Sequence, residues 1–128
     1  MKYLLDTHVL LWAAGQPERL SESVHAVLQD RQNQLYFSSV SIWEIVIKRG
    51  LGRNDFVVDP RLLRYGSINN GYAELPMTSE HALTLATLPG LHKDPFDRIL
   101  VAQTITEQMK LITADVILAK YTDLVVLV

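Results

Sequence analysis

The chain is 128 residues long, with 48% hydrophobic residues, 12 Lys and Arg against 14 Asp and Glu, and a formal net charge of -2. That length and apolar content suit one hydrophobic core, so a single domain over residues 1–128 is expected, and the charge balance argues against the broad basic face that holds most non-enzymatic nucleic-acid binders on phosphate. With no cysteine there are no disulfides, thiolate zinc sites or cysteine nucleophile, and any metal must sit on oxygen or imidazole.

Asp6 breaks the first apolar run before it could serve as the core of a signal peptide. Val9 to Ala14 and Leu124 to Val128 fall far short of the ~20 residues that span a bilayer, so no membrane association and a cytoplasmic address are expected. In chain order, Lys2 to Leu5 reads as a first strand and Thr7 to Ala14 as a short helix stopped by Gly15 and Pro17. Ser21 caps a helix to about Arg31. Leu35 to Ser38 has strand composition, and a helix from about Ser41 to Arg49 follows it, terminated by Gly50 and Gly52. Asp59-Pro60 begins a helix that ends near Asn69-Asn70-Gly71, before a third strand from Tyr72 to Leu75. Thr78 or Ser79 opens another helix, which ends before Pro89-Gly90. Asp94-Pro95 starts one that runs to about Gln108. Lys110 to Thr113 is a fourth strand, Val116 to Tyr121 a last short helix and Leu124 to Val128 a terminal strand. Strands separated by helices predict an α/β three-layer fold, with a central parallel sheet of about four to five strands flanked by helices.

On that map Asp6, Glu44, Asp97 and Asp115 all fall at strand-to-helix junctions or in the first helical turn near them. In an open parallel sheet such junctions lie at one edge, where crevices form and ligands bind, so these four converge. Clustered carboxylates repel one another unless a cation is present, and oxygen ligation points to Mg²⁺ or Mn²⁺. Such an ion suits phosphodiester hydrolysis by an activated water. Lys48, Arg49, Arg53, Lys93 and Arg98 are candidates to hold flanking phosphates.

Three of the acids also have a structural explanation, because carboxylates favour helix N-termini. Ser41-Ile42-Trp43-Glu44 fits a capping box, Asp94 and Asp97 fit N-cap and N3, and Asp115 fits the cap of the next helix. Asp6 is different, because Thr7 is better placed to cap and a charge buried at a strand's end needs a partner. His8, His25, His81 and His92 show no pairing at the one-turn spacing of helical zinc motifs, and no Gly-rich phosphate loop or nucleophile elbow occurs.

The blocks Leu4-Leu5-Asp6-Thr7-His8, Ser41-Ile42-Trp43-Glu44-Ile45 with Lys48, His92-Lys93-Asp94-Pro95-Phe96-Asp97-Arg98 and Ile112-Thr113-Ala114-Asp115 resemble PIN-domain toxins of the VapC type from bacterial toxin-antitoxin systems. The resemblance covers essentially the whole chain. It implies a PIN-like fold, Mg²⁺- or Mn²⁺-dependent cleavage of RNA, and inhibition by a small antitoxin encoded with the toxin. Asp6, Glu44, Asp97 and Asp115 match the family's acidic quartet as catalytic and metal-holding residues, with Thr113, Asp94 and Thr7 in support. In the family the helix after Asp97 usually continues with two alanines; here Val101-Ala102-Gln103-Thr104 keeps only the first. The resemblance also implies a homodimer with a hydrophobic groove for the antitoxin. Trp12, Trp43 and Ile47 are candidates to line it, although the helix carrying Trp43 must also face the core through Ile42, Ile45 and Val46.

Two other readings remain open at this level. A phosphoacceptor signalling domain also places acids and Mg²⁺ at the carboxyl edge of a parallel sheet, but Lys110 and Lys120 are poorly placed for its late lysine. A PIN-like binding module would keep the acids only as helix caps.

Overall fold

Leu4 and Leu5 are both fully buried but face opposite sides of their strand, Leu5 packing with Phe37 and Ile112 and Leu4 with Leu111 and Leu100. A strand apolar on both faces must be covered on both, which requires helices above and below the sheet. The computed structural model, which describes residues 1–128, has that arrangement. Its elements are β1 (Lys2–Leu5), α1 (Thr7–Gly15), a 3-10 turn (Pro17–Arg19), α2 (Glu22–Gln29), β2 (Gln34–Ser38), α3 (Ser39–Gly50) and α4 (Pro60–Asn69), followed by β3 (Ala73–Leu75), α5 (Ser79–Leu85), α6 (Pro95–Glu107), β4 (Lys110–Thr113), a second 3-10 turn (Leu118–Lys120) and β5 (Val125–Leu127).

The five strands are parallel and lie in the order β3-β2-β1-β4-β5. The chain starts at the centre, builds outward through β2 and β3, then returns to the other side of β1. That reversal makes the β1/β4 boundary a topological switch point, beyond whose carboxyl ends a crevice must open. One core holds Leu5, Val9, Phe37, Ile45, Phe56 and Ile112, and the other Leu4, Val40, Ile99, Leu100, Val101 and Leu111. No helix is long and apolar enough to cross a membrane.

Three sequence expectations need correction. The helix after β2 begins at Ser39, because the Ser38 hydroxyl accepts the Val40 N–H at 3.0 Å and takes the N-cap; the Ser41-Glu44 capping box does not form, and Glu44 lies in the second turn. Asp6, and not Thr7, caps α1, its carboxylate accepting the Val9 N–H at 2.8 Å. The expected helix from Val116 to Tyr121 is only the 3-10 turn, since Leu118 is the one buried residue in it and Val116 and Ile117 are exposed: no apolar stripe exists to dock a longer helix.

Candidate active site

Asp6 leaves β1 still tied to the sheet, its N–H donating to the Ile112 carbonyl at 3.0 Å. One carboxylate oxygen caps α1 and the other accepts the Thr113 hydroxyl. That hydroxyl in turn accepts the Asp115 N–H at 3.0 Å, so Thr113 joins the acids that follow β1 and β4. With Asp6 only 6% exposed, burial pushes its pKa up to about 6, against the lowering effect of these two hydrogen bonds. Asp97 occupies the third position of α6, a helix started by Pro95 and capped by Asp94, whose side chain accepts the Phe96 N–H at 2.9 Å. Burial, then repulsion from Asp94, Glu44 and Asp6, pushes the Asp97 pKa up to about 7. Asp115 caps the turn after β4 through Ile117 N–H at 2.9 Å.

Asp6, Asp97 and Asp115 line one open crevice of about 490 Å³ beyond the ends of β1 and β4. Glu44 does not line it. At 2% exposed it lies behind the wall, where it accepts the Thr7 hydroxyl at 2.6 Å and Lys48 Nζ at 2.5 Å. With its one proton on Glu44, Thr7 Oγ1 accepts from the Ser41 hydroxyl at 2.9 Å, and Lys48 reaches Asp94 at 3.3 Å. Burial opposes the Lys48 charge, but Glu44 and Asp94 hold its pKa above the usual value, so Lys48 stays charged against Glu44.

The spacing rules passed over His92, because they seek pairs one helical turn apart and this ring works across the crevice from a loop. Its Nε2 lies 2.7 Å from Asp115 and 3.5 Å from Asp97, and ligand atoms of all three residues fall within 4.8 Å of one another. The other ring nitrogen, Nδ1, accepts the Asp94 N–H at 3.0 Å. That bond leaves Nε2 to carry the proton and donate it to Asp115, which makes His92 an orienting donor and not a metal ligand. The donor set left facing the crevice is therefore all carboxylate. Three acids, two of them hindered from ionising by burial, match a hard divalent cation, whose charge would offset that cost.

The remaining candidates are dispersed. Trp12 sits at the crevice rim, while Trp43, 55% exposed, and Ile47 lie on the solvent side of α3, with Trp43 stacked edgewise on Phe96 at 4.9 Å. Of the cations proposed for phosphate, Lys48 is engaged by Glu44 and Arg53 by Asp55 at 3.0 Å, and Arg98 Nε is buried without a partner. Arg19, which the sequence reading did not single out, is the cation that lines the crevice.

A sequence model of the PIN domain matches residues 3–124 of the chain. No curated protein sequence is significantly similar to it. Among solved structures, VapBC2 from Rickettsia felis bound to a DNA fragment from its promoter superposes with a TM-score of 0.70 at 14% identity, covering 98% of this chain and 96% of that one. VapBC-1 from nontypeable Haemophilus influenzae gives 0.63 at 21% identity, over 91% and 88%. DNA-bound VapBC from Salmonella typhimurium gives 0.67 at 14% identity, over 100% and 97%.

Proposed function

The chain belongs to the PIN domain family, and from that premise we propose that it is a metal-dependent endoribonuclease, the VapC-type toxin of a toxin-antitoxin module, acting as one domain in the cytoplasm. The observation that carries this reading is the convergence of Asp6, Asp97 and Asp115 on one crevice at the β1/β4 switch point. These three carboxylates would hold the ion, Mg²⁺ or Mn²⁺ by its preference for oxygen. When bound, such a cation polarises the phosphate, acidifies an attacking water and neutralises charge on the leaving oxygen.

The chain's own residues supply the preorganisation. Thr113 and the α1 cap fix both oxygens of Asp6, so that carboxylate cannot rotate away. His92 fixes Asp115 in the same way. Glu44, tied to Thr7 and Lys48, anchors α1 to α3 behind the site, and Asp94 holds the other side of Lys48. Water then attacks phosphorus as the bond to the leaving oxygen breaks, in a crevice whose rim carries Arg19 as a counter-charge to the RNA backbone.

Solved relatives paired as VapBC support an antitoxin partner here. Trp43 and Ile47, the candidates for the antitoxin groove, are exposed on α3 together with Val46, which is half exposed and not in the core as its spacing suggested. This contiguous apolar face, costly to leave in water, supports a docking surface for the antitoxin, beside the homodimer that the family resemblance implies. The purified chain is expected to cut RNA with Mg²⁺ or Mn²⁺ and not with a chelator, and Asp6→Asn and Asp97→Asn to lose at least about 100-fold while staying folded. Equal cutting by all three proteins would trace the activity to a contaminant and overturn the reading.

A further inference from the structure

The acidic crevice does not end at its carboxylates. A second cleft, of about 590 Å³, adjoins it and shares His8, Trp12, Arg19 and Asp55 with it. Local sequence explains the rim between them. Pro17 starts the 3-10 turn after α1, and buried Leu20 pins its far end, which swings Arg19 back over the helix it has just left. The guanidinium carbon settles 4.4 Å from the centre of the Trp12 ring. Asp55, the acid common to both clefts, is paired with Arg53 at 3.0 Å and lies 3.3 Å from His8, and the Arg19 guanidinium itself reaches only the Gln16 amide oxygen, at 3.5 Å, so it has no carboxylate to neutralise it. Beyond the stacked pair the cleft is walled by Leu11, Val57 and Val58, with the Asn54 amide at its side.

A planar cation on an indole, an apolar wall and an amide form a combination suited to an unpaired nucleobase, which stacks on flat side chains and offers its edge to hydrogen-bonding groups. The continuity of the two clefts fixes which base that would be. Resting on the ribonuclease reading above, we propose that Trp12 and Arg19 form a nucleobase subsite for single-stranded RNA, taking the nucleotide next to the phosphate held at Asp6, Asp97 and Asp115. Arg19 stacks with the base through its plane and meets the adjoining phosphate through its N–H edge. The subsite selects unpaired RNA, since a base still in a duplex cannot enter the cleft.

The test uses the folded, cleavage-deficient Asp97→Asn chain carrying Trp43→Phe, which leaves Trp12 as the single tryptophan. Its fluorescence is followed while it is titrated with a single-stranded RNA of about six nucleotides, or with an abasic oligomer of equal charge. Intact RNA is expected to quench Trp12 and the abasic strand is not. Arg19→Ala, a change at an exposed position, is expected to weaken binding of intact RNA on the order of tenfold and binding of the abasic strand by clearly less, since only the phosphate contact is lost there. Equal quenching and equal affinity for the two strands would overturn the subsite while leaving the ribonuclease reading intact. Failure of the wild-type chain to bind or cut any RNA would overturn both. If Arg19→Ala and Trp12→Leu left RNA cleavage unchanged but abolished association with a co-expressed partner protein, the cleft would be a protein-docking surface and the subsite would fall.

Discussion

His92 shows how one backbone hydrogen bond can decide the role of a side chain. By distance alone its Nε2 belongs with Asp97 and Asp115 as a third ligand, but the Asp94 N–H on Nδ1 makes Nε2 a donor, and a donor nitrogen has no lone pair for a metal. Orienting partners of this kind are worth about 10- to 100-fold in metal affinity or activity. His92→Ala is therefore expected to lose that much, and His92→Gln, whose amide N–H can still reach Asp115, to recover part of it; calorimetric metal titration beside RNA cleavage would check both. A Gln variant as weak as the Ala variant would return His92 to the metal. The sequence named the acids because each follows a strand or opens a helix, a pattern visible along the chain. It could not reveal His92, whose partner Asp115 lies 23 residues away across a loop, or Arg19, which matters only because a turn folds it onto Trp12. For Asp6 the expected partner exists, the Thr113 hydroxyl at the far end of the chain, whereas the cap of α1 expected at Thr7 is made by Asp6 itself through the Val9 N–H.

At the scale of elements, α6 carries a fully buried amide, Gln103, next to the single alanine of its apolar stretch, Ala102. Gln103 shares its burial with Ile99, Leu100, Val101 and Ala102 of the same helix. Its carbonyl oxygen accepts the Ser38 hydroxyl at 2.6 Å and its amide lies 3.4 Å from His81 Nδ1. His81, also fully buried, completes the α5 capping box and reaches Glu107 at 2.8 Å. The polar group is thus satisfied by β2 and α5, elements that no local pattern on α6 could identify. Gln103→Leu strands the Ser38 hydroxyl and is expected to cost about 1 to 3 kcal/mol in urea unfolding. Combined with Ser38→Ala, it is expected to cost less than the two changes summed, because the second removes the group that the first leaves unpaired. Strict additivity would mean that the bond contributes nothing. The same serine explains the misplaced start of α3: Ser38, Ser39 and Ser41 are chemically equivalent caps in sequence, and only the demand from Gln103 and Val40 on Ser38 separates them.

For the molecule as a whole, alternating strands and helices were enough to foretell a parallel sheet and acids gathered at one edge, but not the order β3-β2-β1-β4-β5, since periodicity does not say which strands are neighbours. That order sets Asp6 beside the end of β4 and buries it, with a consequence for global stability. Its pKa rises from an ordinary 3.8 to about 6, and that of Asp97 from 3.8 to about 7, so the folded chain binds these protons more tightly than the unfolded chain does. The stability linked to them is fully present below the unfolded value near 3.8 and is lost as pH rises through about 6 to 7. Without metal, the chain is expected to melt several degrees lower at about pH 8 than at about pH 5, and the Asp6→Asn, Asp97→Asn double variant to show much less of that difference. A divalent ion reverses the trend. It binds the deprotonated acids and must displace their protons, so Mn²⁺ is expected to raise the melting temperature more at about pH 8 than at about pH 5, with proton release measurable by calorimetry in buffers of different ionisation enthalpy. An equal gain at both pH values, or one that persists in the double variant, would put the ion elsewhere on the molecule and separate the acidic crevice from metal binding.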